Sequence, residues 1–151
     1  MRGFAEVREH LFDANALLAL AWPNHPFHRR VHQWLAAEPH RPWATCAMTQ
    51  SAFVRLSCNP RIVGVTVFPR QALDILTRNT AVDSHRFWSE QPPVAEVLAP
   101  FRDRLIGYRQ VTDAYLLGLA VSCSGCLLTF DRGLAAIAGD AHRHALACLE
   151  L

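Results

Sequence analysis

At 151 residues, 51% of them hydrophobic and 19% charged, the chain is long enough to bury roughly 68–70% of its unfolded surface as a single domain over 1–151. Its hydrophobic share excludes a disordered chain, and five cysteines at irregular positions argue against a disulfide framework and for thiols in a reducing compartment. A net charge of +2 does not announce nucleic-acid binding by itself. The longest apolar run, Ala16 to Trp22, falls far short of the roughly 20 residues of a membrane helix, and no secretory leader pattern opens the chain. A cytoplasmic protein without a membrane partner is expected.

Every cationic side chain is arginine, with no lysine. The planar guanidinium suits phosphate, although a bias in coding explains the same count.

The N-terminal MRGFAEVRE is the one stretch of doubtful order. His10 to Phe12 reads as a short buried strand, and Asp13 stands at its carboxyl end before a helix over Ala16 to Ala21 that Pro23 stops. Pro26 reads as a first helical position. Phe27, Val31, Trp34 and Leu35 then form an apolar stripe through about Glu38.

Trp43 to Cys46 is a second strand, and Thr49 reads as the N-cap of a helix from Gln50 to about Ser57. Arg61 to Phe68 is valine-rich, and its pattern leaves strand and loop both open. Pro69 starts a helix ending near Asn79. Ser84 to Trp88 reads as extended, and a short helix over Val94 to Leu98 follows Pro92-Pro93.

Thr112 is a second N-cap candidate, before a helix from Asp113 to about Ser122 that is apolar nearly all round. Cys126 to Phe130 is an apolar run ending at Asp131. A short helix, Leu134 to Ala138, and a last strand near Ala145 to Leu149 complete the chain. This alternation predicts a three-layer α/β domain on a mostly parallel sheet.

Three aspartates terminate apolar segments, where an unpaired carboxylate is costly. In open parallel sheets ligands sit outside the carboxyl ends of the strands, where Asp13 and Asp131 fall, and Asp113 at a helix start can face the same crevice. Converging aspartates make an ordinary site for Mg²⁺ or Mn²⁺, which prefer carboxylate oxygens and keep several waters. Helix capping accounts for each aspartate singly; their joint arrival at one edge of the fold favours the metal.

The blocks LFDANALLAL, MTQSAFVRLSCNP, VTDAYLLGLA and LLTFDRGL resemble, in order and spacing, the motifs of PIN-domain proteins, and more closely the VapC toxins of bacterial toxin–antitoxin pairs. The resemblance runs from about Leu11 to the C-terminus. It implies an α/β/α PIN-like fold and an endoribonuclease in which Asp13, Asp113 and Asp131 bind Mg²⁺ or Mn²⁺ and direct water at an RNA phosphodiester. It further implies a cognate VapB-like antitoxin and a homodimer.

The family's other acid is commonly a glutamate after a threonine, and Thr49-Gln50 is the matching pair. An amide adds no charge to a metal and is no base near pH 7. Gln50 is therefore expected to orient water or substrate beside a single metal, the alternative being a weakened relative that retains only RNA or protein binding.

Asn15 is expected to position a carboxylate or water. Thr129, on the same side of its strand as Asp131, is expected to support the acids by a hydrogen bond. Arg109 and Arg132 are candidates for RNA phosphate, against a solvated or structural role.

His28 and His32 have the spacing of a zinc pair without the glutamate of H-E-x-x-H. Cys123 and Cys126 have metal-pair spacing without a second pair. Trp22, Trp34, Trp43 and Trp88 suit base stacking or, as for Trp34, the core. Apolar surface around Phe27 to Leu35 and Phe53 to Leu56 is expected to receive the antitoxin. A phosphatase of the haloacid-dehalogenase type would want D-x-D where Asp13-Ala-Asn15 stands, and a nucleotide-dependent oxidoreductase would want G-x-G-x-x-G after a strand.

Overall fold

The computed structural model describes residues 7–89 and 91–151; most of the N-terminal stretch of doubtful order lies outside them. Five short strands, β1 (His10–Phe12), β2 (Trp43–Cys46), β3 (His85–Trp88), β4 (Cys126–Thr129) and β5 (Leu146–Cys148), form one sheet in the order β3-β2-β1-β4-β5. Every pairing is parallel. The expected mostly parallel sheet is thus parallel throughout.

Parallel neighbours need crossovers, and here they are helical. Helices α1 (Ala14–Ala21) and α2 (His28–Ala37) join β1 to β2, while α3 (Ala47–Ser57), α4 (Pro60–Val63) and α5 (Pro69–Thr80) join β2 to β3. Helix α6 (Val94–Leu98), two 3-10 turns and α7 (Val111–Ser122) lead into β4, and α8 (Leu134–His142) leads into β5.

Alternation along the strands divides the core in two. Phe12, Trp43 and Leu128 face Leu17, Val31, Trp34 and Phe53 of the first helical layer. Leu11, Ala44 and Leu127 face Phe101, Leu117, Leu119 and Ile137 of the second. Strands buried on both faces explain why the segments read as unbroken apolar runs.

The chain builds outward from β1 to β3 and then returns to lay β4 against the other side of β1. The gap between the ends of β1 and β4 is therefore the topological switch point.

Several boundaries differ from expectation. Pro26 lies in a turn and α2 begins at His28. Helix α3 begins at Ala47, three residues early, because Thr49 sits inside it: its Oγ1 accepts from the Cys46 backbone N–H at 3.1 Å. Between Arg61 and Phe68 the chain forms the end of α4 and a loop, not a strand; Asn59 caps α4 and left-handed Gly64 ends it.

Helix α7 starts at Val111, with Thr112 already in its first turn. Helix α8 runs past Ala138, kinked at Gly139, whose φ is 58°. At Gly118 α7 comes so close to α6 that a Cβ there would stand 2.7 Å from the Val97 carbonyl oxygen.

Candidate functional site

Asp13 leaves β1 in an extended conformation and caps α1, its Oδ1 accepting from the Ala16 N–H at 2.7 Å. It is only 8% exposed. Burial pushes its carboxyl up to about 6, against the hydrogen bonds from Ala16 and Thr129, and Asp113 and Asp131 push the same way. A capping aspartate on an ordinary surface helix carries no such burden, so the cap alone does not account for this residue.

Asp131 follows β4 on the exposed rim, its Oδ1 accepting from the Gly133 N–H at 2.8 Å. Thr129, buried at the end of β4, ties the two acids together. Its Oγ1 accepts from the Asp131 N–H at 3.1 Å, and its hydroxyl supports Asp13.

Asp113 enters from the second helical layer. Helix α7 ends where β4 begins, so its first turn lies at the carboxyl edge of the sheet, and there Asp113 is half-buried. Burial foremost, then Asp131, holds its carboxyl above the usual range. Cys148, opposite Thr129 in the β4–β5 register, feels the same field: burial first, then Glu150, with Asp131 and Asp13, pushes its thiol up.

Among the described residues no ion pair involves Asp13, Asp113 or Asp131. Three mutually repelling carboxylates without a cationic partner are a hard-oxygen donor set that suits a divalent ion. Among the described residues no group of three or more His, Cys, Asp or Glu is gathered closely enough to hold a metal ion as it stands.

Gln50 turns elsewhere. Its Nε2 donates to Thr45 Oγ1 at 2.8 Å, and Thr45 Oγ1 lies 2.8 Å from His85 Nε2. Burial foremost, then Arg86, pushes the imidazole of His85 down. With Gln50 donating, the threonine hydroxyl donates onward to a neutral His85. No hydrogen bond joins Gln50 to the aspartates among the described residues.

Asn15 makes a contact that the sequence did not suggest. Its Oδ1 lies 2.8 Å from His25 Nε2, while His25 Nδ1 accepts from the Phe27 N–H at 3.0 Å. Burial, followed by His28, lowers the pKa of His25. The ring also lies 5.9 Å from that of Phe130, the residue before Asp131. The signal was absent from the sequence because ten residues of helix and turn separate the partners.

The remaining candidates are occupied in other ways. Arg132 pairs with Glu150 at 3.4 Å, both exposed, and Arg109 Nε donates to Tyr108 Oη at 3.2 Å. His28 and His32 donate to the carbonyls of Ala19 and Leu20 near the end of α1, a capping role and not a zinc pair. The Cys126 thiol donates to the His144 carbonyl.

Trp34, Trp43 and Trp88 are buried, and half-buried Trp22 donates to Ser57. Of the expected apolar docking surface, Val31, Trp34 and Phe53 are core, whereas Phe27, Leu35, Val54 and Leu56 stay half-exposed; the exposed large apolar side chains include Ile62, Val65, Phe68 and Leu73, and Val94, Ile106, Tyr108 and Val111.

The PIN domain model matches residues 11–140. Ribonuclease VapC38 of Mycobacterium tuberculosis is 40% identical over 128 residues, covering 85% of this chain and 89% of that protein. Ribonuclease VapC44 of the same species is 40% identical over 136 residues, covering 89% and 95%. Among solved structures, PAE2754 from Pyrobaculum aerophilum superposes with a TM-score of 0.58 at 26% identity, over 89% of this chain and 87% of that one. FitAcB from Neisseria gonorrhoeae, at 22% identity and a TM-score of 0.56 over 84% and 92%, shares the fold. The chain belongs to the PIN-domain family, among its VapC ribonucleases.

Proposed function

We infer that this protein is an endoribonuclease, the toxin of a toxin–antitoxin pair, hydrolysing RNA phosphodiester bonds with the help of Mg²⁺ or Mn²⁺ held by Asp13, Asp113 and Asp131. The observation that carries the metal assignment is the buried Asp13, raised to about 6 beside two further carboxylates, with no cation paired to any of the three among the described residues. Ionising such a group costs stability, and positive charge supplied beside it relieves that cost. A divalent ion held there would supply that charge, polarise a phosphoryl oxygen and make water more acidic.

The chain's own residues have separate duties. Asp13 and Asp131 share the Thr129 hydroxyl at the carboxyl edge of the sheet, and Asp113 stands at the same edge in the first turn of α7. Thr129 and the Ala16 N–H fix the orientation of Asp13 and draw its pKa down against burial. Gln50 contributes no charge; anchored on Thr45, it orders the end of β2 and leaves its amide oxygen to a substrate or water.

A VapB-type antitoxin, a homodimer, a cytoplasmic location and a single domain over residues 1–151 belong to the same proposal. The exposed apolar side chains of α4, the following loop and α5 supply surface for such protein contacts.

The test is to incubate purified protein, freed of antitoxin, with structured RNAs in Mn²⁺ or Mg²⁺ and to repeat the assay with Asp13→Asn and Asp113→Asn. Cleavage that needs the metal and is lost in both variants is expected. Equal cleavage by wild type and Asp13→Asn would overturn the assignment.

A further inference from the structure

The amide orientation of Asn15 follows from a chain of hydrogen bonds. A backbone N–H only donates, so the 3.0 Å contact from Phe27 makes His25 Nδ1 an acceptor. In a neutral imidazole the other nitrogen then carries the proton. Nε2–H donates across 2.8 Å to Asn15, which must present its oxygen to the ring. The amide NH₂ of Asn15 is left facing away from His25, with no protein partner among the described residues.

Asn15 is exposed in the first turn of α1, two residues after Asp13, and His25 stands against Phe130 just before Asp131. The NH₂ group is therefore a fixed, uncharged donor beside Asp13 at the carboxyl edge of the sheet, where the three aspartates lie. An anion approaching three carboxylates needs donors, and an arginine there would be captured by the acids themselves. An amide is neither attracted to them as a cation nor repelled.

We propose that His25 is a positioning residue for RNA cleavage, locking Asn15 so that its NH₂ donates to a phosphate oxygen of the substrate. The inference rests on the ribonuclease reading above.

The experiment measures steady-state cleavage of a labelled single-stranded RNA that the wild type cuts, using Asn15→Ala, His25→Phe, His25→Gln and the double variant Asn15→Ala/His25→Phe. Phenylalanine keeps the ring contacts with Phe27 and Phe130 while removing the donor. Losing the hydrogen bond to phosphate in Asn15→Ala is expected to raise KM roughly ten- to a hundredfold. Freeing the Asn15 side chain in His25→Phe is expected to raise it roughly two- to tenfold, with kcat within about twofold of wild type, as for an interaction made equally in ground and transition states. His25→Gln, which restores a donor, is expected to recover most of the loss. In the Asn15→Ala background His25→Phe should add nothing.

A second readout does not use activity: ¹⁵N spectra should show His25 protonated on Nε2, and the Asn15 side-chain amide signal should move in His25→Phe. Additive losses, a wild-type KM in His25→Phe, or a proton on Nδ1 would overturn the proposal. Cleavage by wild type with an unaffected His25→Phe removes this inference alone, whereas a wild type that cuts no RNA removes the ribonuclease reading together with it.

Discussion

Replacing Asp13 by asparagine is expected to stabilise the metal-free protein while abolishing its activity. The variant keeps the side-chain shape and a carbonyl oxygen for the Ala16 N–H, and puts a neutral amide in place of the buried charge. A carboxyl raised from 3.8 to about 6 corresponds to about 3 kcal/mol against the ionised form. The folded pKa is the higher one, so between about pH 4 and 6 the folded chain holds a proton that the unfolded chain has lost. Asp13's contribution to stability is therefore fullest below about pH 4, falls as pH rises through about 6, and stays level above.

Asparagine carries no such penalty, and at pH 7.5 in EDTA the variant should melt about 6–12 °C above wild type, the equivalent of about 3 kcal/mol at this size. The gap should close below pH 4. Adding Mn²⁺ should raise the melting temperature of wild type much more than that of the variant, since only the native carboxylate set binds the ion well. Melts followed by circular dichroism from pH 4 to 8 measure all of this. A variant that melts below wild type at pH 7.5 without metal would refute the argument that burial, uncompensated by any protein cation, sets the state of Asp13.

Other consequences can be measured in the same way. Thr129→Val removes the acceptor of the Asp131 N–H and a donor to Asp13; it should cost about 1–3 kcal/mol in denaturant melts and move the acid limb of the pH–rate profile upward, because Asp13 loses a bond that lowers its pKa. Gln50→Ala should reduce cleavage by no more than about tenfold, the loss of one neutral hydrogen bond, and a loss as complete as that of Asp113→Asn would return Gln50 to the acid centre. Gly118→Ala should destabilise by about 1–3 kcal/mol, since the new methyl meets the Val97 carbonyl oxygen at 2.7 Å, and urea titration would report it as a lower midpoint.

The parts of the fold legible in the sequence are those where one local signal dominates. Strands β1 and β4 are buried on both faces, so they stand out as apolar runs, and each ends in an aspartate that the parallel topology must deliver to the same edge. Reading α3 as starting at Gln50 failed because Thr49 satisfies a helix terminus from inside the helix, reaching back to Cys46, and the residue type does not reveal which direction it bonds.

The segment from Arg61 to Phe68 was undecidable because its apolar residues serve a small local cluster, with Val63 and Val67 buried together, and not a strand period. At the site, the carboxylates were legible from their improbable positions. The links from Gln50 to Thr45 and from Asn15 to His25 were not, since they depend on how a helix and a turn fold back in space.

The parallel pairing of β1 with β4 has a consequence for the order of events on the ribosome. His10 meets Cys126 and Phe12 meets Leu128, so the centre of the sheet joins the start of the chain to a segment made near the end of translation. Contacts so distant in sequence form late, after a large loop-closure cost, and Asp131 emerges only after β4 has been made. A nascent chain thus carries Asp13 alone for most of its synthesis, gaining Asp113 and then Asp131 only in its last third, and until then it lacks Thr129 to orient the first acid. The topology by itself delays assembly of the proposed cutting centre while the molecule is still bound to the RNA machine that makes it.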